Sequence, residues 1–259
     1  NFAFVKVLDD SGNGSTIGVI QGLKAIAVKT RERKNPCVVN MSWGAPGLLL
    51  GLQEAVDEVR RAGCSVVAAA GNSASNNDRV PVSPAFLRGV IAVGASTQRD
   101  TVADFSNWGP KSVLLFAPGE KILSSVPKPP SRGVVSSSAL FDPTGYRLLD
   151  GTSLSAPHIT GAVAMLLSRF PELSEEQVRI RLMAGDRTIL PWRLNFRERQ
   201  ANQLTVSGAR LNLLSSLKAD RMPPSQPLVL VEKVGHSSAR LRILGAGDDG
   251  IQGQPFGLR

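Results

Sequence analysis

Short apolar runs alternate with stretches of helical spacing along most of this chain. The short runs lack polar alternation, as expected for parallel strands that are buried on both faces. Between them, apolar residues recur every three or four positions, which is typical of helices packed on a sheet. The pattern predicts an α/β fold, with a mostly parallel sheet and helices on both faces in three layers. Strands are expected at residues 3–8, 37–42, 64–70, 89–95 and 112–116, and helices at 16–33, 49–62, 152–170 and 174–184.

The length and composition suit one sizeable core. The chain has 259 residues, of which 42% are hydrophobic. Its longest apolar runs have the length of strands, so a membrane-spanning helix is not expected. We expect one domain over residues 1–217. Residues 218–259 are rich in Pro and Gly and are expected to form a linker or tail, with the apolar run Leu228–Val231 as a candidate first strand of a further domain.

Two polar side chains stand where acyl-transfer chemistry could use them. The segment Gly151–His158 (GTSLSAPH) places the hydroxyl of Ser153 at the start of a helix. Unpartnered N–H groups at a helix start favour negative charge, so Ser153 is a candidate nucleophile, although a Ser or Thr there is commonly only a cap. Asn72 follows the buried run Cys64–Ala70. Its amide could donate to a developing oxyanion at the carboxyl edge of the sheet, or simply form a turn.

Taken in order, the motifs of this chain resemble those of the subtilisin-like serine proteases. The matching segments are Val5–Leu8, Val39–Gly44, Val67–Asn72, Pro84–Ala85, Val90–Ala95, Phe105–Ser106, Ala117–Gly119 and Gly151–His158. The resemblance covers residues 3–217 and implies a subtilisin-like fold and a serine endopeptidase that cuts through an acyl-enzyme. It implies that Ser153 is the nucleophile, and that Asn72 and the Ser153 backbone N–H bind the oxyanion.

The same resemblance implies a peptide-binding groove. Two segments would flank an extended substrate, namely Ser42-Trp43-Gly44 and Ala69-Ala70-Gly71. Val82 falls at the floor of the pocket for the residue before the cut. Because no acid stands there, we expect an uncharged, mainly apolar residue at that position rather than Lys or Arg. Trp43 either narrows a pocket or packs in the core, and the packing interpretation is favoured.

The proton-handling residues of the resembled family are not found in this chain. Serine attack needs a base and a carboxylate that orients it. In the family both lie N-terminal to the strand that Val5–Leu8 resembles, and this chain begins just before that strand. Neither His158, on the nucleophile's helix, nor His236, in the tail, matches the base, and Asp10 is interpreted as a loop residue. We therefore expect a C-terminal portion of a catalytic domain, incomplete in its sheet and inactive alone.

Two other function classes remain open at this stage. One is a pseudoprotease that only binds peptides. The other is a basic nucleic-acid-binding domain, because the net charge is +9 and six arginines lie between Arg179 and Arg199. A solvated face is the favoured interpretation of that cluster. A dinucleotide loop at Gly12–Gly18 is disfavoured, because Asn40 stands where an acidic residue would be needed.

The remaining expectations concern cofactors, cysteines and surroundings. No cofactor or metal ligand set is expected, and the resemblance implies calcium only as an option of the complete enzyme. Cys37 and Cys64 open two strands that the family places side by side. They could form a disulfide, but two buried thiols are favoured. The resemblance implies a peptide or protein substrate as partner and a secreted, secretory or vacuolar location, whereas the oligomeric state is not indicated.

Overall fold

The computed structural model describes residues 2–9, 12–33, 35–126, 128, 142–184 and 204–218, and the backbone of 228–234 and 239–244. The helices are α1 (Thr16–Arg33), α2 (Leu50–Arg61), α3 (Thr152–Arg169), α4 (Glu175–Met183) and α5 (Leu213–Leu217). The strands are β1 (Cys37–Met41), β2 (Ala45–Pro46), β3 (Cys64–Ala69), β4 (Val82–Ser83), β5 (Val90–Ser96), β6 (Leu115–Pro118), β7 (Ile122–Ser125), β8 (Tyr146–Leu149), β9 (Leu228–Val234) and β10 (Ala239–Leu244). The four helices predicted from the sequence are present within one residue of their predicted ends.

A parallel sheet of four strands, in the order β1–β3–β5–β6, forms the centre of the fold. Every residue of β3 and β5 is buried, which explains why their sequences lack the polar alternation of a strand with one exposed face. Successive side chains of a strand point to opposite faces. Val66 and Ala68 of β3 therefore belong to one apolar cluster, whereas Val67 and Ala69 belong to another.

Helices cover both faces of this sheet. α1 and α2 pack against each other and contribute to the cluster that contains Val66. α3 and α4 contribute to the cluster that contains Val67, and α3 contacts all four strands. The sheet-facing side of α3 is formed by buried residues at helical spacing, namely Ile159, Ala162, Val163, Leu166 and Leu167. The predicted α/β architecture is confirmed.

The prediction of a strand at residues 3–8 is wrong. Val7 packs against the cluster of α1 and α2, but Phe2 and Phe4 are each 95% exposed. Among the described strands, β1 pairs only with β3, and none pairs with residues 3–8. An apolar run becomes a strand only when a neighbour completes its hydrogen bonds, and a pattern within the run cannot report that neighbour.

The two cysteines form a disulfide, so the favoured expectation of two thiols is wrong. The register of the sheet explains the bond. Cys37 of β1 lies directly opposite Cys64 of β3, and their Cα atoms are 4.4 Å apart. That separation is within the range that a disulfide spans. The hydroxyl of Thr30 in α1 contacts both sulfur atoms, at 3.4 Å and 3.3 Å.

The arginine cluster is not a solvated face where the structure describes it. Arg181 is only 4% exposed and lies over the ring of Phe170, with 4.1 Å from its guanidinium carbon to the ring centroid. Arg179 donates to the backbone carbonyl of Val90 at 2.7 Å. The guanidinium of Arg179 therefore links α4 to β5 through a hydrogen bond. The other four arginines of the cluster lie outside the described residues.

The tail contains two strands rather than the single predicted one. β9 and β10 pair as an antiparallel hairpin. The boundary between residues 217 and 218 stays a prediction. Of the helices that the structure describes, none has the length and apolarity needed to cross a membrane.

Candidate active site

Ser153 lies in the first turn of α3, directly after a sharp turn at Gly151. The φ angle of Gly151 is +149°, which residues with a side chain rarely adopt, and its N–H donates to the carbonyl of Gly119 at 2.8 Å. Gly151 is the N-cap and makes no side-chain cap bond. The interpretation of Ser153 as a simple cap is therefore wrong. Within the described ranges, no carbonyl accepts the backbone N–H of Ser153, as is usual for the first turn of a helix.

The hydroxyl of Ser153 forms a hydrogen bond with the segment that follows β1. It donates to the carbonyl oxygen of Ser42 at 3.0 Å, and the hydroxyl of Ser42 donates to the carbonyl oxygen of Ser153 at 2.8 Å. Asn40 supports this pair, because its Nδ2 donates to the Ser42 hydroxyl at 2.9 Å. Thr160, on α3, donates to Asn40 Oδ1 at 2.9 Å. These bonds attach the start of α3 to the carboxyl end of β1.

Asn72 lies against the same helix start. Its Oδ1 accepts both the backbone N–H of Thr152, at 2.9 Å, and the Thr152 hydroxyl, at 2.8 Å. The Thr152 hydroxyl also accepts the N–H of Gly71 at 3.1 Å. Because Oδ1 is held by two donors, the orientation of the Asn72 amide is fixed. In the part of the chain that the structure describes, nothing accepts from Nδ2, and the residue is exposed.

Two buried asparagines hold the loop that carries Asn72, and no motif in the sequence predicts this role for either of them. Asn107 Oδ1 accepts the backbone N–H groups of Ser73 and Ser75, at 2.8 Å and 3.1 Å. The Nδ2 groups of Asn107 and Asn77 both donate to the carbonyl of Ala70, at 3.2 Å and 2.8 Å. Both side chains are fully buried. Polar residues beside buried apolar ones are a signal of such a role, but they do not name their partners.

The proposed groove segments meet around Val82. Ser42-Trp43-Gly44 links β1 to β2, and Ala69-Ala70-Gly71 begins at the last residue of β3 and continues beyond it. Trp43 is half-buried and packs against the cluster of α1 and α2, as the packing interpretation predicts. A Cβ atom placed on Gly44 would lie 3.0 Å from Val82, and one placed on Gly71 would lie 3.7 Å from it. The structure therefore brings Val82 between the two segments.

No described side chain is placed to take the proton of Ser153. Nδ1 of His158 bonds to the backbone carbonyl of Leu154 at 2.8 Å, and the residue is exposed on α3. Asp10 and His236 lie outside the described residues. Across the described ranges, no three His, Cys, Asp or Glu side chains are grouped so that they could hold a metal ion.

The structure thus places a serine at a helix start beside an asparagine that follows a buried strand. Comparison with known proteins addresses the family of the chain. The model of the subtilase family matches residues 1–202. The chain belongs to the subtilase family. This subtilase is 42% identical over 166 residues to a subtilisin-like protease of Coccidioides posadasii (strain C735), covering 63% of this chain and 37% of that protein. It is 39% identical over 179 residues to an extracellular serine proteinase of Thermus sp. (strain Rt41A), covering 69% and 39%.

A solved structure gives the same result. The crystal structure of a cold-adapted subtilisin-like serine proteinase matches with a TM-score of 0.59 and 31% identity, over 80% of this chain and 63% of that one. The subtilase chain therefore spans less than two thirds of the length of each of these relatives.

Proposed function

We propose that this chain carries the nucleophile and the oxyanion-binding groups of a subtilase endopeptidase site. Ser153 is the proposed nucleophile. The Nδ2 group of Asn72 and the backbone N–H of Ser153 are the proposed donors to the oxyanion. The observation that carries the proposal is the pair of bonds from Thr152 to Asn72 Oδ1, because they fix the amide beside the nucleophile while Nδ2 stays available. Donors that are oriented before the reaction need no reorganisation during it.

The proposed substrate is an extended peptide that lies along the segment Ser42–Gly44. Trp43 and Gly44 lie between β1 and β2 and take part in no strand ladder of the described structure. Their backbone groups could therefore pair with a peptide strand, while its side chains alternate between pockets. An exposed glycine at position 44 allows the two backbones to approach closely.

We expect the chain by itself to bind peptides without cutting them at an enzymatic rate. The proton of the Ser153 hydroxyl faces the Ser42 carbonyl oxygen, which is not a base at neutral pH. Hydrolysis would need a positioned base, and its contribution is worth about 10²- to 10⁴-fold in rate. A groove that only binds peptides is the alternative outcome, should no base ever approach Ser153.

Binding of a product-like peptide tests the proposed donors without requiring catalysis. Acetyl-Ala-Ala-Pro-Ala with a free carboxylate would place negative charge between Asn72 and Ser153. We expect a titration to shift the NMR signals of the Asn72 side-chain amide and the Ser153 backbone amide. The peptide with a neutral carboxamide end should bind more weakly, because a charged acceptor makes the stronger hydrogen bonds.

The matched variants are Asn72→Ala and Asn35→Ala. Asn35 is exposed ahead of β1 and distant in sequence from the proposed donors. We expect Asn72→Ala to weaken binding of the carboxylate peptide about tenfold or more, and Asn35→Ala to leave it unchanged. Equal binding by both variants would contradict the proposed oxyanion site.

We also propose that the protein is secreted. One relative is an extracellular serine proteinase. The disulfide between Cys37 and Cys64 supports the same location, because such bonds persist in oxidising compartments. Detection of the native protein in culture medium, with this disulfide intact by mass spectrometry, is the expected result.

A further inference from the structure

One buried residue, Asn107, bonds to the backbone on both sides of Asn72. Its N–H donates to the carbonyl of Gly71 at 2.9 Å, and its Oδ1 accepts the N–H of Ser73 at 2.8 Å. The lack of a side chain at Gly71 makes room for this contact, because a Cβ atom there would lie 2.5 Å from Nδ2 of Asn107. Asn107 therefore holds the residue before Asn72 and the residue after it.

The loop that follows Asn72 has a strained backbone, and Asn107 holds it on either side of the strain. The φ angle of Ala74 is +50°, in the left-handed region that residues with a side chain rarely adopt. Asn107 Oδ1 accepts the N–H groups of Ser73 and Ser75, which flank Ala74. A backbone in such a region persists only where its surroundings fix it. The shape of this loop therefore depends on Asn107.

The amide of Asn107 is itself fixed in direction. Its Nδ2 donates to Oδ1 of Asn77 at 2.9 Å and to the carbonyl of Ala70 at 3.2 Å. Asn77 Nδ2 donates to the same carbonyl at 2.8 Å, and both asparagines are fully buried. Because a rotated amide would leave buried donors and acceptors without partners, Asn107 keeps one orientation.

We propose that Asn107 is a positioning residue of the oxyanion site. The bonds from Thr152 fix the direction of the Asn72 amide, and Asn107 fixes the place of the backbone that carries it. The inference rests on the proposed function of Asn72 and adds a residue that acts on the oxyanion through the loop rather than by contact. Donors to a charged group are effective when they are held within about 0.5 Å of the right place, so a shifted loop weakens them.

The preference for a charged peptide end measures this positioning on the chain as it exists. The peptides are acetyl-Ala-Ala-Pro-Ala with a free carboxylate and the same peptide with a neutral carboxamide. Calorimetry gives the ratio of their dissociation constants. We expect the preference for the carboxylate to fall about tenfold in Asn107→Ala, because the Asn72 amide is displaced from the charge. A residue that only stabilises the fold would lower the midpoint of urea unfolding and leave this ratio unchanged.

The control is Thr205→Ala. Thr205 is also fully buried, and its hydroxyl accepts a single backbone N–H, that of Gly208, at 3.1 Å. Its loss should lower stability without changing the ratio. Asn77→Ala is the second variant and decides the question should Asn107→Ala fail to fold. It frees the Asn107 amide on one side but keeps the acceptor of the Ser73 and Ser75 N–H groups, so we expect a smaller fall in the ratio.

The outcomes separate the positioning role from the proposed function. An unchanged ratio in Asn107→Ala, with weakened carboxylate binding in Asn72→Ala, would overturn the positioning role and leave the proposed function standing. If Asn107→Ala does not fold, an unchanged ratio in Asn77→Ala overturns the positioning role. An equal fall in Thr205→Ala would also overturn it, because the effect would then follow stability alone. No binding of either peptide, or binding insensitive to Asn72→Ala, would overturn both.

Discussion

Pro157 removes one backbone N–H from the second turn of α3, and a side chain from another segment replaces it. In a regular helix, the carbonyl of Ser153 would accept the N–H of the residue four positions later. That residue is Pro157, which has no N–H to donate. The Ser42 hydroxyl donates to this carbonyl at 2.8 Å, and Asn40 orients the hydroxyl by donating to it. The helix thus accommodates a proline directly beside the candidate nucleophile.

Ser42→Ala should lower the free energy of unfolding, because the N–H that Pro157 lacks would then no longer be replaced. The substitution leaves the Ser153 carbonyl without its donor and the Asn40 amide without its acceptor. We expect a loss of about 1–3 kcal/mol in the free energy of unfolding, measured by urea denaturation. Ser73→Ala is the control, because Ser73 is exposed and, among the described residues, only its backbone N–H has a hydrogen-bond partner. A midpoint of unfolding equal to that of Ser73→Ala would contradict the role of the Ser42 hydroxyl.

For individual residues, the sequence identifies the candidate reactive side chains more readily than the side chains that position them. Ser153 and Asn72 stand out because motif and local pattern agree. Asn107 is 30 positions from its partner Asn77 and 37 from Ala70, so no local pattern connects them. The position of Val82 beside Gly44 and Gly71 depends in the same way on the assembled fold.

Among the elements, α2 is tied to α4 by one arginine. Arg60 bonds to Glu175 at 2.8 Å and to Asp57 at 3.2 Å. Burial lowers the pKa of Arg60, but the bonds and charges of Glu175 and Asp57 outweigh that effect and raise it. The guanidinium lies directly against Gly89, where a Cβ atom would collide with it. Gly89 therefore has two roles: it leaves space for the guanidinium of Arg60, and it adopts a left-handed backbone conformation.

Gly89→Ala should separate these two contributions when it is compared with Gly47→Ala. Both glycines have positive φ, +81° and +87°, but only Gly89 has a neighbour within 4 Å of the new Cβ. We expect about 1 kcal/mol of destabilisation for each from backbone strain, and a further 1–3 kcal/mol or so for Gly89→Ala from displacement of Arg60.

A double-mutant cycle with Arg60→Ala checks this prediction. The extra cost of Gly89→Ala should largely vanish when the guanidinium is absent. Equal losses for the two glycine variants in the unmodified background would mean that Arg60 moves aside without cost.

The sequence predicts the helices of this chain more reliably than its strands, and two elements show why. The start of α4 carries its own signal: the Ser174 hydroxyl accepts the N–H of Gln177, whose side chain accepts the N–H of Ser174. Residues 3–8 carry an apolar signal of similar quality, yet they form no strand. A helix completes its hydrogen bonds within its own sequence, whereas a strand depends on a neighbour elsewhere in the chain.

For the molecule as a whole, the described residues bring the candidate nucleophile and oxyanion donors together without a base. α3 and the carboxyl ends of β1 and β3 supply Ser153, Ser42 and Asn72. The one histidine in the described ranges bonds to the backbone of its own helix. In the proposed site, these residues would contribute the nucleophile and the oxyanion donors, and the step that removes the serine proton would need a further group.

Reaction with a fluorophosphonate probe tests whether Ser153 lacks an activating base in this chain. The probe captures serines whose hydroxyl is activated, so we expect Ser153 to be labelled no faster than the background left in Ser153→Ala. A serine with a positioned base should react at least about 10²-fold faster than one without. Rapid labelling at Ser153, located by peptide mass spectrometry, would contradict this expectation. Comparing His158→Ala with His236→Ala would then identify which histidine acts as the base, because only the variant that removes it should lose the label.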